Sequence, residues 1–208
     1  MFSRLEKQVF KKGYRLVAGI DEAGRGSLVG PIAAAIVAIN PKKTFKLNNY
    51  PQGIKDSKQL SKKQREEIFE AIKQESSIEW KVSFVYPKVI DRINIGKANL
   101  LVWQRCLNRL DKQPDFLFLD GKMSLPNLEI KQQSVINGDQ KIFLLSLASI
   151  IAKVNRDRLM ERLDKKYPEY GFGQHKGYGT KLHLERIRKF GPSEIHRRSF
   201  NPIKRKFI

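Results

Sequence analysis

The stretch Leu16-Val17-Ala18-Gly19-Ile20-Asp21, followed at once by Glu22-Ala23-Gly24-Arg25-Gly26, decides the fold. Residues 16 to 21 form a short apolar run, the pattern of a buried strand. An isolated Asp at a strand end is usually a turn former or a helix cap. A strand that buries four apolar residues and then meets two adjacent acids and a glycine-rich turn has little structural reason to do so.

Working outward, the turn-rich GRGSLVGP leads into Ile32-Ala33-Ala34-Ala35-Ile36-Val37-Ala38-Ile39, a second strand that makes a hairpin-like pair with the first. Residues 40 to 59 read as loop. Ser61 with Gln64 is a capping-box pattern opening a helix that carries Ile68 and Ile72. Further strands are expected at 78–86, 116–120 and 130–136. Helices are expected at 97–110, with Leu100, Leu101, Trp103 and Leu107 inward, at 143–165, and at 180–190, stopped by Gly191-Pro192. Gly171 to Gly179 is a glycine-rich loop, and the tail from Ser199 has no pattern. Strands alternating with helices after an opening pair give an α/β class with a mixed sheet.

A second apolar run, Phe116-Leu117-Phe118-Leu119-Asp120, also ends in a carboxylate. If the two strands are parallel neighbours, their backbones lie about 4.8 Å apart, close enough for the acids to share a cation. Glu22 and Asp139 sit at element ends beside glycines. Four such acids would repel and raise one another's pKa, a cost that Mg²⁺ or Mn²⁺ removes. Taken alone, Asp139 reads equally well as a cap on the following helix. Asp111, Asp115 and Asp157 read as structural.

The charge balance is not that of an ordinary soluble protein. The 208 residues carry 41 Lys or Arg against 21 acids, a formal +20, which favours polyanionic partners, nucleic acid first and anionic membrane surfaces second. Half of that excess lies from Lys153 onward, where 16 basic residues meet 6 acidic ones. Solubility does not need charge at one end, whereas a phosphate backbone does. A single cysteine, Cys106, excludes an internal disulfide and a cysteine-based zinc site. No apolar run reaches the roughly 20 residues of a spanning helix, and no secretory h-region is visible. With its one cysteine, a reducing cytoplasm is the expected address, and a monomer is expected.

Several segments together resemble bacterial ribonuclease HII. They are Ala18 to Gly26, Asp56-Ser57-Lys58-Gln59-Leu60, Leu119-Asp120-Gly121, Gly138-Asp139, Ser149 to Val154 with Arg156-Asp157, and His175-Lys176-Gly177-Tyr178-Gly179-Thr180. The resemblance implies a ribonuclease H-like mixed five-stranded sheet flanked by helices, as a catalytic domain over 1–166 with a small helical, basic extension over 167–208. It implies cutting 5′ to a ribonucleotide in duplex DNA, and of the RNA strand of RNA–DNA hybrids. By position, Asp21, Glu22, Asp120 and Asp139 resemble the four metal-binding acids. Gly24, Arg25 and Gly26 resemble the motif that senses the ribose 2′-OH, and Tyr178 the tyrosine that stacks on the neighbouring deoxyribose. Lys58 and Lys153 resemble backbone-holding positions. Arg25 in the glycine motif, and the short lead before it, favour type HII over ribonuclease HIII. Two departures stand out: Lys141 to Leu147 is more apolar than the family pattern, and Asn137 stands where a basic residue is common.

The expected mechanism uses two Mg²⁺ or Mn²⁺ ions bridged by Asp21, with an in-line water, giving a 3′-hydroxyl and a 5′-phosphate. His175, His183 and His196 read as surface or structural, with His175 within reach of phosphate. The tail Asn201 to Ile208 is a candidate for docking on a sliding clamp, set against a partly ordered basic tail. Two rivals remain: another nuclease or transposase on the same fold, and a non-catalytic basic nucleic-acid-binding protein. The first does not explain the pairing of the glycine motif with the Tyr178 loop. The second does not explain acids on buried strands.

Overall fold

The computed structural model describes residues 2–43 and 60–206. Five strands form one sheet in the order β3-β2-β1-β4-β5: β1 Val17–Ala23, β2 Ile32–Ile39, β3 Ile78–Val85, β4 Phe116–Asp120 and β5 Lys131–Val135. β1 pairs antiparallel with β2 and parallel with β4, so the sheet is mixed as expected. β2 is buried along its whole length, which its eight apolar residues match. β5 closes an edge and is polar.

One face of the sheet carries α1 Arg4–Lys11, α2 Lys62–Gln74 and α4 Phe143–Lys166. Val9, Ile68, Phe69, Ile72 and the first half of α4 pack there on Val17, Val37, Phe116 and Phe118. The other face carries α3 Pro87–Leu107, whose Ile90, Val102, Trp103 and Leu107 pack on Ala18, Ile20, Leu117 and Leu119. The capping box at Ser61 and Gln64 is present. Short helices α5 Phe172–His175 and α7 Ile203–Lys206 flank α6 Lys181–Phe190.

The structure corrects the sequence reading in four places. The first strand does not stop at Asp21 but runs to Ala23, so both acids lie within β1, opposite Ala35 and Ala34. α3 begins ten residues before the expected Lys97. It is kinked at Asn94 (φ 65), whose side chain caps Lys97 N at 3.0 Å, so the periodic segment starts where a second half-helix starts. Trp103 and Leu107 are buried as expected, while Leu100 and Leu101 are half-buried. The tail from Asn201 is not patternless: Ile203 is fully buried with Leu28 and Ile187.

The fourth correction is α1, which the sequence reading did not assign, and it accounts for the apolar run from Lys141. Residues 142–148 are buried, and the α4 N-cap Ile142 offers no side-chain cap. Glu6 of α1 supplies it, accepting from Phe143 N at 3.0 Å and Leu144 N at 2.9 Å. Gly19 brings α4 onto the sheet, since a Cβ there would lie 2.8 Å from Leu144 Cβ.

Candidate active site

Strand geometry sets the first relationships. Successive side chains on a strand point to opposite faces. Val17 packs toward α4 and Ile20 toward α3, so Asp21 faces α4 and Glu22 faces α3. On β4, Phe118 packs toward α4 and Leu119 toward α3, so Asp120 faces α4. Ile20 stands opposite Leu119 in the parallel register, which sets Asp21 beside Asp120 on the same face.

Asp139 arrives from another direction. After β5 the chain turns at Asn137 (φ 53) into a single 3-10 turn, Gly138–Gln140, where Asp139 is 4% exposed. Gly138 N donates to Asp120 Oδ1 at 2.6 Å. A Cβ at Gly138 would lie 2.3 Å from Leu145 Cδ1 and 3.1 Å from Asp120 Oδ1, so any larger residue has to displace the Leu145 side chain and crowd the carboxylate.

Electrostatics reflects the crowding. Asp21 is held well above the usual carboxylate range by burial first, then by the charges of Glu22 and Asp120; a hydrogen bond from Ser149 opposes this. Glu22 is pushed up to about 7, again by burial first, with Asp120 adding and Arg25, Asn99 and Trp103 opposing. All four acids offer hard oxygen donors, and the repulsion among Asp21, Glu22 and Asp120 is the situation a hard divalent cation relieves. Among the described residues, no three His, Cys, Asp or Glu already converge on one point. Three of the acids are held by protein donors: Asp120 accepts from Gly138 N, Glu22 from Trp103 Nε1 at 3.0 Å, and Asp21 from Glu22 N at 2.7 Å. The donor chemistry fits a divalent cation, and each of these carboxylates keeps a second oxygen to offer one.

Beside the acids lies a groove of about 600 Å³ lined by Glu22, Ala23, Gly24, Arg25, Gly26, Arg65, Ser149, Lys153 and Tyr178. Five of the residues singled out in the sequence thus share one surface with Glu22. Lys58 lies outside the described residues. Ser149, which opens the segment Ser149 to Val154, joins the groove without having been singled out as a site residue, and Arg65 carries no local pattern that marks it.

The two glycines of the motif differ. Gly24 has φ +85, and a Cβ on it would lie 1.8 Å from Arg156 Nε, so packing alone demands glycine. Gly26 has open space around the missing side chain. Arg156, buried in α4, donates to Pro31 O at 3.0 Å and Lys176 O at 2.9 Å, joining the two loops of the groove. Gly177 has φ +84, and its carbonyl accepts from Leu28 N at 2.8 Å. Tyr178 is 39% exposed, with Lys153 Nζ 5.8 Å and the Arg156 guanidinium 5.7 Å from its ring centre. Lys153 also pairs with Asp157 at 2.9 Å.

The three histidines are all buried, which corrects the placement of His175 near phosphate. His175 Nε2 meets Tyr170 O at 2.9 Å and its Nδ1 accepts from Gly177 N at 3.2 Å. His183 Nδ1 meets Tyr178 O at 2.9 Å, its Nε2 lies 3.1 Å from His196 Nε2, and His196 Nδ1 accepts from Ser193 N at 2.9 Å. A carbonyl can only accept, so these partners define one neutral tautomer for each ring. They buttress the Tyr178 loop from beneath.

Among the described residues, no helix is long and apolar enough to cross a membrane. The family model for ribonuclease HII matches residues 18–203. A ribonuclease HII from Caldicellulosiruptor bescii is 44% identical over 199 residues, 96% of this chain and 93% of the relative. A solved ribonuclease H2 from Pyrococcus horikoshii OT3 superposes with a TM-score of 0.75 at 30% identity, covering 91% of this chain and 96% of that one. The ribonuclease HII in a PCNA complex from Archaeoglobus fulgidus gives 0.72 at 28% identity, covering 88% and 93%. This chain therefore belongs to the ribonuclease HII family and is a ribonuclease H, an endonuclease of the hydrolase class.

Proposed function

We propose that this chain cuts the phosphodiester 5′ to a ribonucleotide embedded in duplex DNA, and the RNA strand of RNA–DNA hybrids, in the service of ribonucleotide removal. The observation that carries this reading is the single groove that Glu22 shares with Gly24, Arg25, Gly26, Lys153 and Tyr178. Asp21, Glu22, Asp120 and Asp139 would hold two Mg²⁺ or Mn²⁺ ions, and ions bound there supply the charge that activates a water and stabilises the departing 3′ oxygen. The open space at Gly26 lets a sugar edge approach the backbone. Arg25 and Lys153 offer charge to phosphates on either side. Tyr178, half-exposed and braced by the histidines, offers a face to a sugar that lacks a 2′-OH. Lys58 is assigned to the phosphate backbone from the sequence pattern alone. A sliding-clamp partner is proposed from the C-terminal tail and from the clamp complex of the archaeal relative; with Ile203 buried, the docking element would be Phe207-Ile208, outside the described residues.

The test is a duplex DNA with one ribonucleotide, labelled at either end and incubated with Mg²⁺ or with EDTA. A metal-dependent nick on the 5′ side, leaving a 3′-hydroxyl and a 5′-phosphate, is expected. A nick on the 3′ side, or cleavage of all-DNA duplex at the same rate, would overturn the substrate assignment.

A further inference from the structure

Glu22 leaves β1 on the face opposite Asp21, and what meets it there is unusual for a helix–sheet core. Its Oε2 accepts from the Trp103 indole at 3.0 Å, and its Oε1 lies 3.8 Å from the Arg25 guanidinium. Asn99, one helical turn before Trp103 on α3, is fully buried beside Glu22, whose charged form it favours. Neither its Nδ2 nor its Oδ1 has a hydrogen-bond partner of proper geometry. A buried amide without partners is costly, and Leu or Met would fill the same helix face without that cost. The neighbouring buried positions of this helix, Ala98, Val102, Cys106 and Leu107, are apolar or nearly so.

We infer that Asn99 and Trp103 are positioning residues for Glu22, holding its carboxylate from the α3 side so that the oxygen nearer Arg25 faces the groove. The inference rests on the proposed metal role of the acids. Groups that hydrogen-bond a metal-binding side chain from behind fix its orientation before the ion arrives. Asn99 is poised for the same task once Glu22 swings toward an ion, because its amide donor has no competing bond to give up. Trp103 carries a second consequence. Its indole is bonded directly to the carboxylate, so its emission reports any change in that carboxylate's charge or direction.

The chain has two tryptophans, and Trp80 packs edge-on against Phe69 in the α2 layer, so Trp80→Phe leaves Trp103 as sole reporter. In that variant Mg²⁺ should shift the emission saturably, with the midpoint found by calorimetric Mg²⁺ titration of the same protein. In the otherwise native chain, Trp103→Phe and Asn99→Ala should each weaken Mg²⁺ binding by about tenfold, at the lower end of what such supporting contacts are worth, with KM for substrate at saturating Mg²⁺ unchanged. Asn99→Gln, which keeps the amide, should fall between. Unaltered Mg²⁺ affinity in both variants, or silent emission while calorimetry records binding, would overturn the inference and leave the metal reading intact. Absence of Mg²⁺ binding to the native chain would overturn both.

Discussion

Nη2 of Arg197 donates to the carbonyl of Gly24 at 2.8 Å, across 173 positions of chain. Nη1 and Nε of the same buried guanidinium hold the carbonyls of Arg25 and Gly30, each at 3.0 Å. Burial first, and then the nearby Arg156, push its pKa down to about 9, so it is still charged at neutral pH. Arg197 N also donates to Leu28 O, and Gly30 N to Ile195 O, so the chain after α6 is stitched to the glycine motif.

Arg197→Met should therefore destabilise the protein by roughly 3 kcal/mol or more, because three carbonyls lose a charged donor while staying buried. For a chain of this size that lowers Tm by about 10 °C. A scanning calorimetry shift under 2 °C would show that the loop is held by other means.

Gly24→Ala and Gly26→Ala should part company. The first forces a Cβ into Arg156 at positive φ and should cost stability as well as activity. The second meets no atom within 4 Å, so Tm should change by less than about 2 °C while cleavage at a single ribonucleotide falls at least tenfold. Full activity in Gly26→Ala would show that the substrate does not use that space.

Asp21→Asn should abolish cleavage, leave duplex binding largely intact, and raise the Tm of the metal-free protein by roughly 2–4 °C, about 1 kcal/mol. The sign follows from burial and from the charges of Glu22 and Asp120, which all oppose ionisation of Asp21. Mg²⁺ should raise the Tm of the native chain and leave the variant's nearly unmoved. Native turnover in the variant would remove Asp21 from the reaction.

The histidines predict a pH response. Burial first pushes His183 down to about 4 and His196 to about 3. The unfolded chain takes up these protons near pH 6.5 and the folded one does not, so stability from this cluster is complete above 6.5 and is lost as pH falls toward 4. His183 alone accounts for about 3 kcal/mol over that window. Asp21, Glu22 and Glu6, held above their usual range, push stability the other way as pH falls. Ring-proton NMR isolates the histidines: of the three in the chain, His183 and His196 should show no titration between pH 5.5 and 8, and His175 should titrate below its ordinary value because it too is buried. A midpoint near 6.5 for His183 or His196 would contradict the buried neutral relay.

Tyr178→Ala should reduce cleavage at a single embedded ribonucleotide about tenfold more than cleavage of a uniform RNA–DNA hybrid, since stacking on a sugar without a 2′-OH matters only at the junction. Equal losses on both substrates would assign the ring to general binding.

Much of this molecule was legible in its residues. Apolar runs at 17–20, 32–39 and 116–119 are strands because only burial on both faces accommodates them, and the Ser61–Gln64 box starts a helix where it stands. The acids that follow the apolar runs of β1 and β4, and the glycines beside them, are chemical signals that need no coordinates. α1 escaped because its Glu6 reads as a surface charge until it is seen capping α4 more than 130 residues away. The histidines escaped because nothing nearby in sequence announces burial.

What the tertiary structure decided is which partner each group meets. Strand parity sends Asp21 toward Ser149 and Glu22 toward Trp103, although the two are adjacent in the chain. The parallel register of β1 and β4 sets Asp21 beside Asp120. Arg156 and Arg197, two basic residues among 41 in the sequence, become the clamps of the loops around the groove once burial removes their water and only backbone carbonyls remain to accept from them. Periodicity fixes faces because it is local; pairings across a hundred residues depend on how the faces are stacked, and that is settled only when the core closes.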